Sequence, residues 1–122
     1  MEREGRNDTK LREIFETLEI SRRALQGYEK AGLVSATGRN KYGHLLYDET
    51  AKLRIAKIKF YQQLGFSLKE ISSIIDAPDI VVKGALEKQI EKLKNERTET
   101  DKLIEKADQM IADLVNKNGY YK

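Results

Sequence analysis

Residues 21–34, SRRALQGYEKAGLV, decide how this chain is read. Ser21 stands where a helix N-cap is needed, because its side-chain oxygen can accept one of the backbone N–H groups that a first helical turn leaves unpaired. Gly32 supplies the stop. The spacing predicts a helix over Arg22 to Lys30, with Leu25 and Tyr28 on one face and Ile20 and Leu33 at its edges. Arg22, Arg23, Gln26, Gly27 and Lys30 occupy the rest of its circumference. Upstream, Thr9 is placed to cap a helix running to about Leu18. In that helix Leu11, Ile14, Phe15 and Leu18 fall at i, i+3, i+4 and i+7 and form one apolar stripe. Only Glu19 and Ile20 separate the two helices, and two short helices joined by so tight a link make a helix-turn-helix pattern.

The following residues 35–48, SATGRNKYGHLLYD, predict a short hairpin. Gly38 and Gly43 bracket Arg39, Asn40, Lys41 and Tyr42, and Leu45 to Tyr47 is the clearer strand. Asp48 then caps a helix from about Glu49 to Leu64, ended by Gly65. Its inner stripe is expected to be Leu53, Ala56, Phe60 and Leu64, with Ile55 and Ile58 adding area. Ser67-Leu68-Lys69-Glu70 is a capping box, in which serine and glutamate satisfy each other's backbone N–H. The helix it opens should reach about Asp76, since Pro78 disfavours helical backbone at Ala77.

From about Asp79 to Asn116 the pattern becomes a heptad. One seam reads Lys83, Ile90, Arg97, Ile104 and Ile111, and the other reads Leu86, Leu93, Thr100, Ala107 and Leu114. Such a seam is apolar at both ends and polar in the middle, and it asks for a partner helix without saying which way that partner runs. At about 1.5 Å per residue the helix would span roughly 50 Å, more than a head of this size can cover. Residues 1–8 are expected to be a flexible, solvated tail, 9–77 a winged helix-turn-helix domain, 79–116 a dimerisation helix and 117–122 a short tail. Tyr120 and Tyr121 fit a frayed end, with docking on a partner's head as the alternative.

The totals agree with a mostly α-helical chain. Of 122 residues 35% are charged and 39% hydrophobic, with no Trp and one Pro, which is thin core material and favours stability gained by dimerising. The net charge of +3 is unevenly placed: residues 20–59 hold nine Lys/Arg against three Asp/Glu, whereas residues 81–122 hold nine against eight. The positive field therefore sits on the first half, where a polyanion would be drawn. With no cysteine, disulfides and thiolate metal sites are excluded and a reducing cytoplasm is the expected setting. A single histidine leaves no metal cluster and no His-based catalytic dyad to assemble. No apolar run approaches membrane-spanning length, and no phosphate-binding glycine loop or set of converging carboxylates suggests an enzyme or a cofactor.

A basic helix beside a basic hairpin is the layout of a winged helix that grips double-stranded DNA. Arg22 and Arg23 lie in a first helical turn, where cations oppose the helix dipole at a cost of about 0.3–1 kcal/mol. Tolerating two of them points to a use, because guanidinium groups read guanine or bind phosphate, although a solvated surface pair is the plain alternative. Gln26 can bond an adenine edge in two places, or be an ordinary surface residue. Gly27 costs about 1 kcal/mol inside a helix relative to Ala, so it marks either close approach of a DNA backbone or a position no longer under demand. Tyr28 fits the core better than a contact, though its hydroxyl could reach a phosphate from the edge. Lys30, Arg39, Lys41, Tyr42 and His44 complete the candidate DNA-binding set, the last four as phosphate contacts from the wing. Leu86, Ile90, Leu93, Arg97, Thr100, Ile104, Ala107, Ile111 and Leu114 are the candidate dimerisation set, with Arg97 and Thr100 fixing register or, alternatively, sensing an effector. A different class of function, a coiled-coil adaptor whose basic head meets an acidic protein, fits the long helix but leaves the arginines at the start of residues 22–30 without a purpose.

The order of these blocks resembles the MerR family of bacterial transcriptional regulators over about Thr9 to Asn116. Ser21 to Leu25, Tyr28 to Leu33, Gly43 to Asp48, and Leu64-Gly65-Phe66-Ser67-Leu68-Lys69-Glu70-Ile71 carry the likeness. The resemblance implies homodimers joined by antiparallel pairing of the long helices, and two recognition helices in successive major grooves of a palindromic operator. It further implies action on RNA polymerase indirectly, by bending and untwisting promoter DNA. Gln26 stands where the family usually has Arg, Gly27 where it has a bulky aromatic, and His44-Leu45 where it has Tyr-Arg. The operator should differ accordingly, with Arg39, Lys41 and Tyr42 taking over part of the phosphate binding. The few residues after the long helix are too short for a ligand-binding domain, so neither an effector nor the direction of regulation is legible.

Overall fold

Side-chain oxygens open three of the helices in the computed structural model, which describes residues 9–118. Ser21 accepts from the Ala24 N–H at 3.0 Å and starts α2, Arg22–Lys30. Asp48 accepts from the Ala51 N–H at 2.8 Å and starts α3, Glu49–Leu64, which ends on Gly65 at a left-handed φ of 107°. Ser67 and Glu70 form the expected reciprocal box at the start of α4, Leu68–Ile74. The first helix, α1 (Leu11–Thr17), departs from expectation. Thr9 and Lys10 form strand β1, the N-cap is Lys10, and no side chain caps the helix. Backbone pairing with a sheet has taken the place of a threonine cap.

The sheet has three short antiparallel strands in the order β1-β3-β2, with β2 at Gly38–Arg39 and β3 at Leu45–Tyr47. Leu46 lies opposite Lys10 on one side and Gly38 on the other. The expected hairpin is therefore present, and its central strand is also held by the residues leading into α1.

The chain divides after Val82 into two compact units. In the first, the largest fully buried side chains are Ile14, Leu25, Tyr47, Ile55, Ile58 and Ile71. They come from α1, α2, β3, α3 and α4, so one core joins every helix of the head to its sheet. Each such aliphatic side chain stabilises the fold by about 1.5–3 kcal/mol relative to leaving it in water. The expected inner stripe of α3 is corrected here. Ala51, Ile55, Ile58 and Tyr61 face the core, while Leu53 and Phe60 are 63% and 52% exposed. Residues 53 and 55 are about 200° apart around a helix, so a helix apolar on two sides offers two stripes, and the neighbours choose between them. Helix α5 runs from Asp79 to Asn118, two residues beyond the expected end, and has no buried residue. Along the second unit Ile90, Leu103, Ile104, Met110, Ile111 and Leu114 are exposed. Its ion pairs, Lys83–Glu87 and Lys102–Glu99, lie on the helix surface, where such pairs contribute little. The expected tails fall largely on residues 1–8 and 119–122, Tyr120 and Tyr121 among them, outside the described residues.

Candidate nucleic-acid interface

Helix α2 is aimed by its neighbours on several sides. Glu19, in the turn before it, takes a left-handed φ of 51°. From α3, the Lys59 ammonium donates to the Leu18 and Glu19 carbonyls at 2.7 and 2.9 Å, satisfying acceptors at the end of α1 where a cation is favoured. The Tyr28 hydroxyl donates to Gln62 Oε1 at 2.7 Å, also on α3. Beyond α2, Arg54 donates through Nε to the Leu33 carbonyl and forms a two-pronged pair with Asp76 at 2.8 Å for each prong. That pair raises the Arg54 pKa, chiefly by the hydrogen bond to Asp76, and lowers the Asp76 pKa by the same bond. These links tie α2, α3 and the end of α4 into one frame.

The frame buries Leu25 and Tyr28 and leaves Arg22, Arg23, Gln26 and Lys30 exposed on α2. Arg22, Gln26 and Lys30 follow at intervals of four, with Arg23 one step round the helix, so the polar groups share a side. The Arg22 guanidinium lies 5.3 Å from the centroid of the Phe15 ring on α1, a cation–π contact that holds part of its surface against the head. Arg23 has no partner among the described residues and is free to engage a ligand. Tyr28 is only 2% exposed, and burial raises its pKa. As a candidate contact it is set aside: its ring is packed and its hydroxyl is already bonded. Gly27 is half-buried, and an added Cβ would meet Leu68 Cδ1 of α4 at 3.9 Å. Its vacant side therefore faces α4 in ordinary packing contact.

The wing is linked to α2 from below. Tyr47 of β3 is fully buried, and its hydroxyl donates to Glu29 Oε2 at 3.2 Å. Burial first, then the charge and hydrogen bond of Glu29, push the Tyr47 pKa up to about 12. Thr37 locks the base of the hairpin: its hydroxyl donates to the Leu46 carbonyl at 3.1 Å and accepts from the Asp48 N–H at 2.8 Å. At the tip, the Arg39 guanidinium donates to the Gly43 carbonyl at 2.7 Å, and Lys41 Nζ lies 5.2 Å from the centroid of the Tyr42 ring. Tyr42 is 70% exposed and stands beside His44, with ring centroids 6.2 Å apart.

A cleft of about 780 Å³ opens between α1, the start of α2 and the wing, and its walls include Lys10, Arg12, Phe15, Arg22 and His44. Sequence reasoning selects Arg22 and His44 but not Lys10 and Arg12, whose cationic side chains widen the positive surface. Nothing in an ordinary amphipathic helix marks them out before the wing is placed opposite. Among the described residues no group of three His, Cys, Asp or Glu is arranged to hold a metal ion, and no helix is long and apolar enough to cross a membrane. The surface combines exposed cations, amide donors and acceptors, and aromatic faces, which is chemistry for polyanion and base-edge recognition.

Comparison with known proteins points the same way. Residues 9–77 match the family model described as "MerR HTH family regulatory protein", and residues 53–116 match "MerR, DNA binding". The chain is 28% identical over 104 residues to the HTH-type transcriptional activator mta of Bacillus subtilis, covering 85% of this chain and 40% of that protein. Its fold is similar to MtaN, the N-terminus of the Bacillus subtilis Multidrug Transporter Activator, with a TM-score of 0.67 and 27% identity over 84% of this chain and 97% of that one. A MerR-family transcriptional regulator from Bacillus cereus gives a TM-score of 0.73 at 26% identity, covering 94% of this chain and 85% of that one. The chain spans about two fifths of the length of the curated relatives it matches.

Proposed function

Because the chain belongs to the MerR family of helix-turn-helix regulatory proteins, DNA-binding regulators rather than enzymes, we propose that it works as a homodimer on a palindromic operator. Two copies pair through the exposed heptad of α5, antiparallel, and set one α2 in each of two successive major grooves. Arg23 and Gln26 contact base edges or phosphates there, with Arg22 and Lys30 beside them, and Arg39, Lys41, Tyr42 and His44 grip the adjoining backbone from the wing. Regulation follows from bending and untwisting the promoter, so RNA polymerase feels the protein through the shape of the DNA.

The observation that carries this reading is the exposed, uncommitted Arg23 on α2 beside a basic wing fixed to the same core. The support for pairing is a 40-residue helix with no buried residue and an apolar seam at heptad spacing. Arg23→Ala should weaken operator binding by about 1–3 kcal/mol in a mobility-shift titration at fixed salt. Unchanged affinity would remove α2 from the interface. Lys41→Ala should lower the log–log salt slope of binding by about one unit, as expected when one phosphate is no longer neutralised by the protein.

A further inference from the structure

Asn40 is the one buried polar, non-aromatic side chain among the described residues, at 8% exposure, yet it sits at the exposed tip of the wing. Its Oδ1 accepts from the Tyr42 N–H at 2.9 Å and from the His44 N–H at 3.0 Å. Its backbone N–H donates to the His44 carbonyl, and its carbonyl accepts from the Gly43 N–H, both at 3.0 Å. With both lone pairs of Oδ1 in use, the amide cannot turn over without aiming its NH2 group at two N–H donors. Nδ2 is thereby directed at His44 Nδ1, 3.4 Å away. An amide nitrogen only donates, so this contact is a hydrogen bond only with Nδ1 as the acceptor, which in the neutral ring leaves the proton on Nε2.

We propose that Asn40 is the positioning residue of the wing: it builds the turn that presents Tyr42 and His44, and it sets His44 as an Nε2–H donor toward a DNA phosphate. This rests on the DNA-binding reading above. The same bonds bring the Gly43 carbonyl to the Arg39 guanidinium, so four of the candidate wing contacts, counting Lys41 over Tyr42, depend on one amide. Pre-ordering side chains before binding raises affinity without adding charge.

The test uses a duplex selected from a randomised pool by the wild-type chain, with Arg23→Ala as the control for the DNA reading. Asn40→Ala should weaken binding by about tenfold, the scale expected when two side chains must be ordered again on binding, while the salt slope stays as in wild type. A merely structural role would not move the second readout, the His44 ring. Because the chain has a single histidine, its ring nitrogens are read without ambiguity in a long-range proton–nitrogen spectrum of the free protein. Wild type should show Nδ1 unprotonated and Nε2 protonated. Asn40→Asp keeps an oxygen for the Tyr42 and His44 N–H groups but turns an acceptor to Nδ1, so it should move the proton to Nδ1 with the fold retained. If Arg23→Ala weakens binding but Asn40→Ala does not, or if the ring spectrum is the same in wild type and Asn40→Asp, the assignment of Asn40 is overturned. If no duplex is selected, or neither Arg23→Ala nor Asn40→Ala changes affinity, the DNA reading itself fails.

Discussion

Position 27 shows how the neighbours of a single residue bear on its role. A glycine on the proposed recognition helix invites the idea that DNA approaches its backbone closely. The structure turns its vacant side toward Leu68, and an added methyl group would lie 3.9 Å from Leu68 Cδ1, an ordinary packing contact. Gly27→Ala should therefore raise stability by about 1 kcal/mol, by removing the glycine penalty inside a helix, and leave DNA affinity unchanged. Denaturant unfolding beside a mobility-shift titration reads both, and a loss of affinity would place the DNA backbone at this position after all. Tyr28 is the complementary case. Its hydroxyl is bonded to Gln62, so Tyr28→Phe should cost about 0.5–1.5 kcal/mol in unfolding free energy and spare DNA binding. Arg22 and Arg23 are adjacent in sequence and identical in type, yet only Arg22 rests on an aromatic ring. No local pattern distinguishes them, because Phe15 belongs to another helix.

At the level of elements, the caps of α2, α3 and α4 and the inner face of α2 are legible in the sequence, whereas the start of α1 and the inner face of α3 are not. Ser21, Asp48 and Ser67 place the starts of α2, α3 and α4, and Gly65 the end of α3, from their own chemistry, since capping is a contact within three or four residues. Helix α4 stops at Ile74, short of the expected Asp76. Strand β1 escapes a sequence reading because two residues carry no alternation and their pairing partner lies far along the chain. The inner face of α3 is ambiguous for a related reason: Leu53 and Phe60 suit a stripe as well as Ile55 and Ile58 do, and only the assembled core decides. In the candidate site, the exposed cations of α2 and the wing are readable as residue types at a spacing. The links that aim them, Tyr47 to Glu29 and Asn40 to His44, depend on the folded hairpin. The burial of Tyr47 beside Glu29 gives a pH prediction. Tyr47 titrates near 12 in the fold against about 10 in an unfolded chain, so the native state holds its proton more tightly. Its contribution is fully present below about pH 10 and is lost as pH rises toward 12, on the order of 2 kcal/mol. Tyr47→Phe should flatten the alkaline fall of the melting temperature across that window. A profile unchanged by the substitution would mean that neither burial nor Glu29 holds the Tyr47 proton in the fold.

For the molecule as a whole, the uneven distribution of buried surface matters most. Among the described residues every buried side chain lies between Ile14 and Ile75, while the 40 residues of α5 bury none within a single copy. A helix draws most of its stability from packing an apolar face, and surface pairs such as Lys102–Glu99 add only a few tenths of a kcal/mol. A lone α5 would thus expose Ile90, Ile104, Ile111 and Leu114 to water with nothing in return. A second copy, as proposed, would remove this difficulty, and it would also supply the second α2 that a palindromic site requires. The two units should then respond differently to dilution. The head, with its own core, should melt at a temperature independent of protein concentration, followed by near-ultraviolet signals of Tyr28, Tyr47 and Tyr61. The helical signal of α5 should melt earlier on dilution, because association stabilises by mass action. Ile104→Asp sharpens the test. Each buried isoleucine is worth about 1.5–3 kcal/mol, and a symmetric pair loses it twice, so the dissociation constant should rise by about a hundredfold or more. Sedimentation should show a monomer at concentrations where wild type is expected to be a dimer. Operator affinity should fall with it even though the substitution lies far along the sequence from residues 22–44, because each half-site must then be bound by a separate copy and the second binding event is no longer intramolecular. A variant that stayed dimeric would move the pairing surface away from this seam. A monomeric variant that bound the operator as tightly as wild type would show that one head suffices.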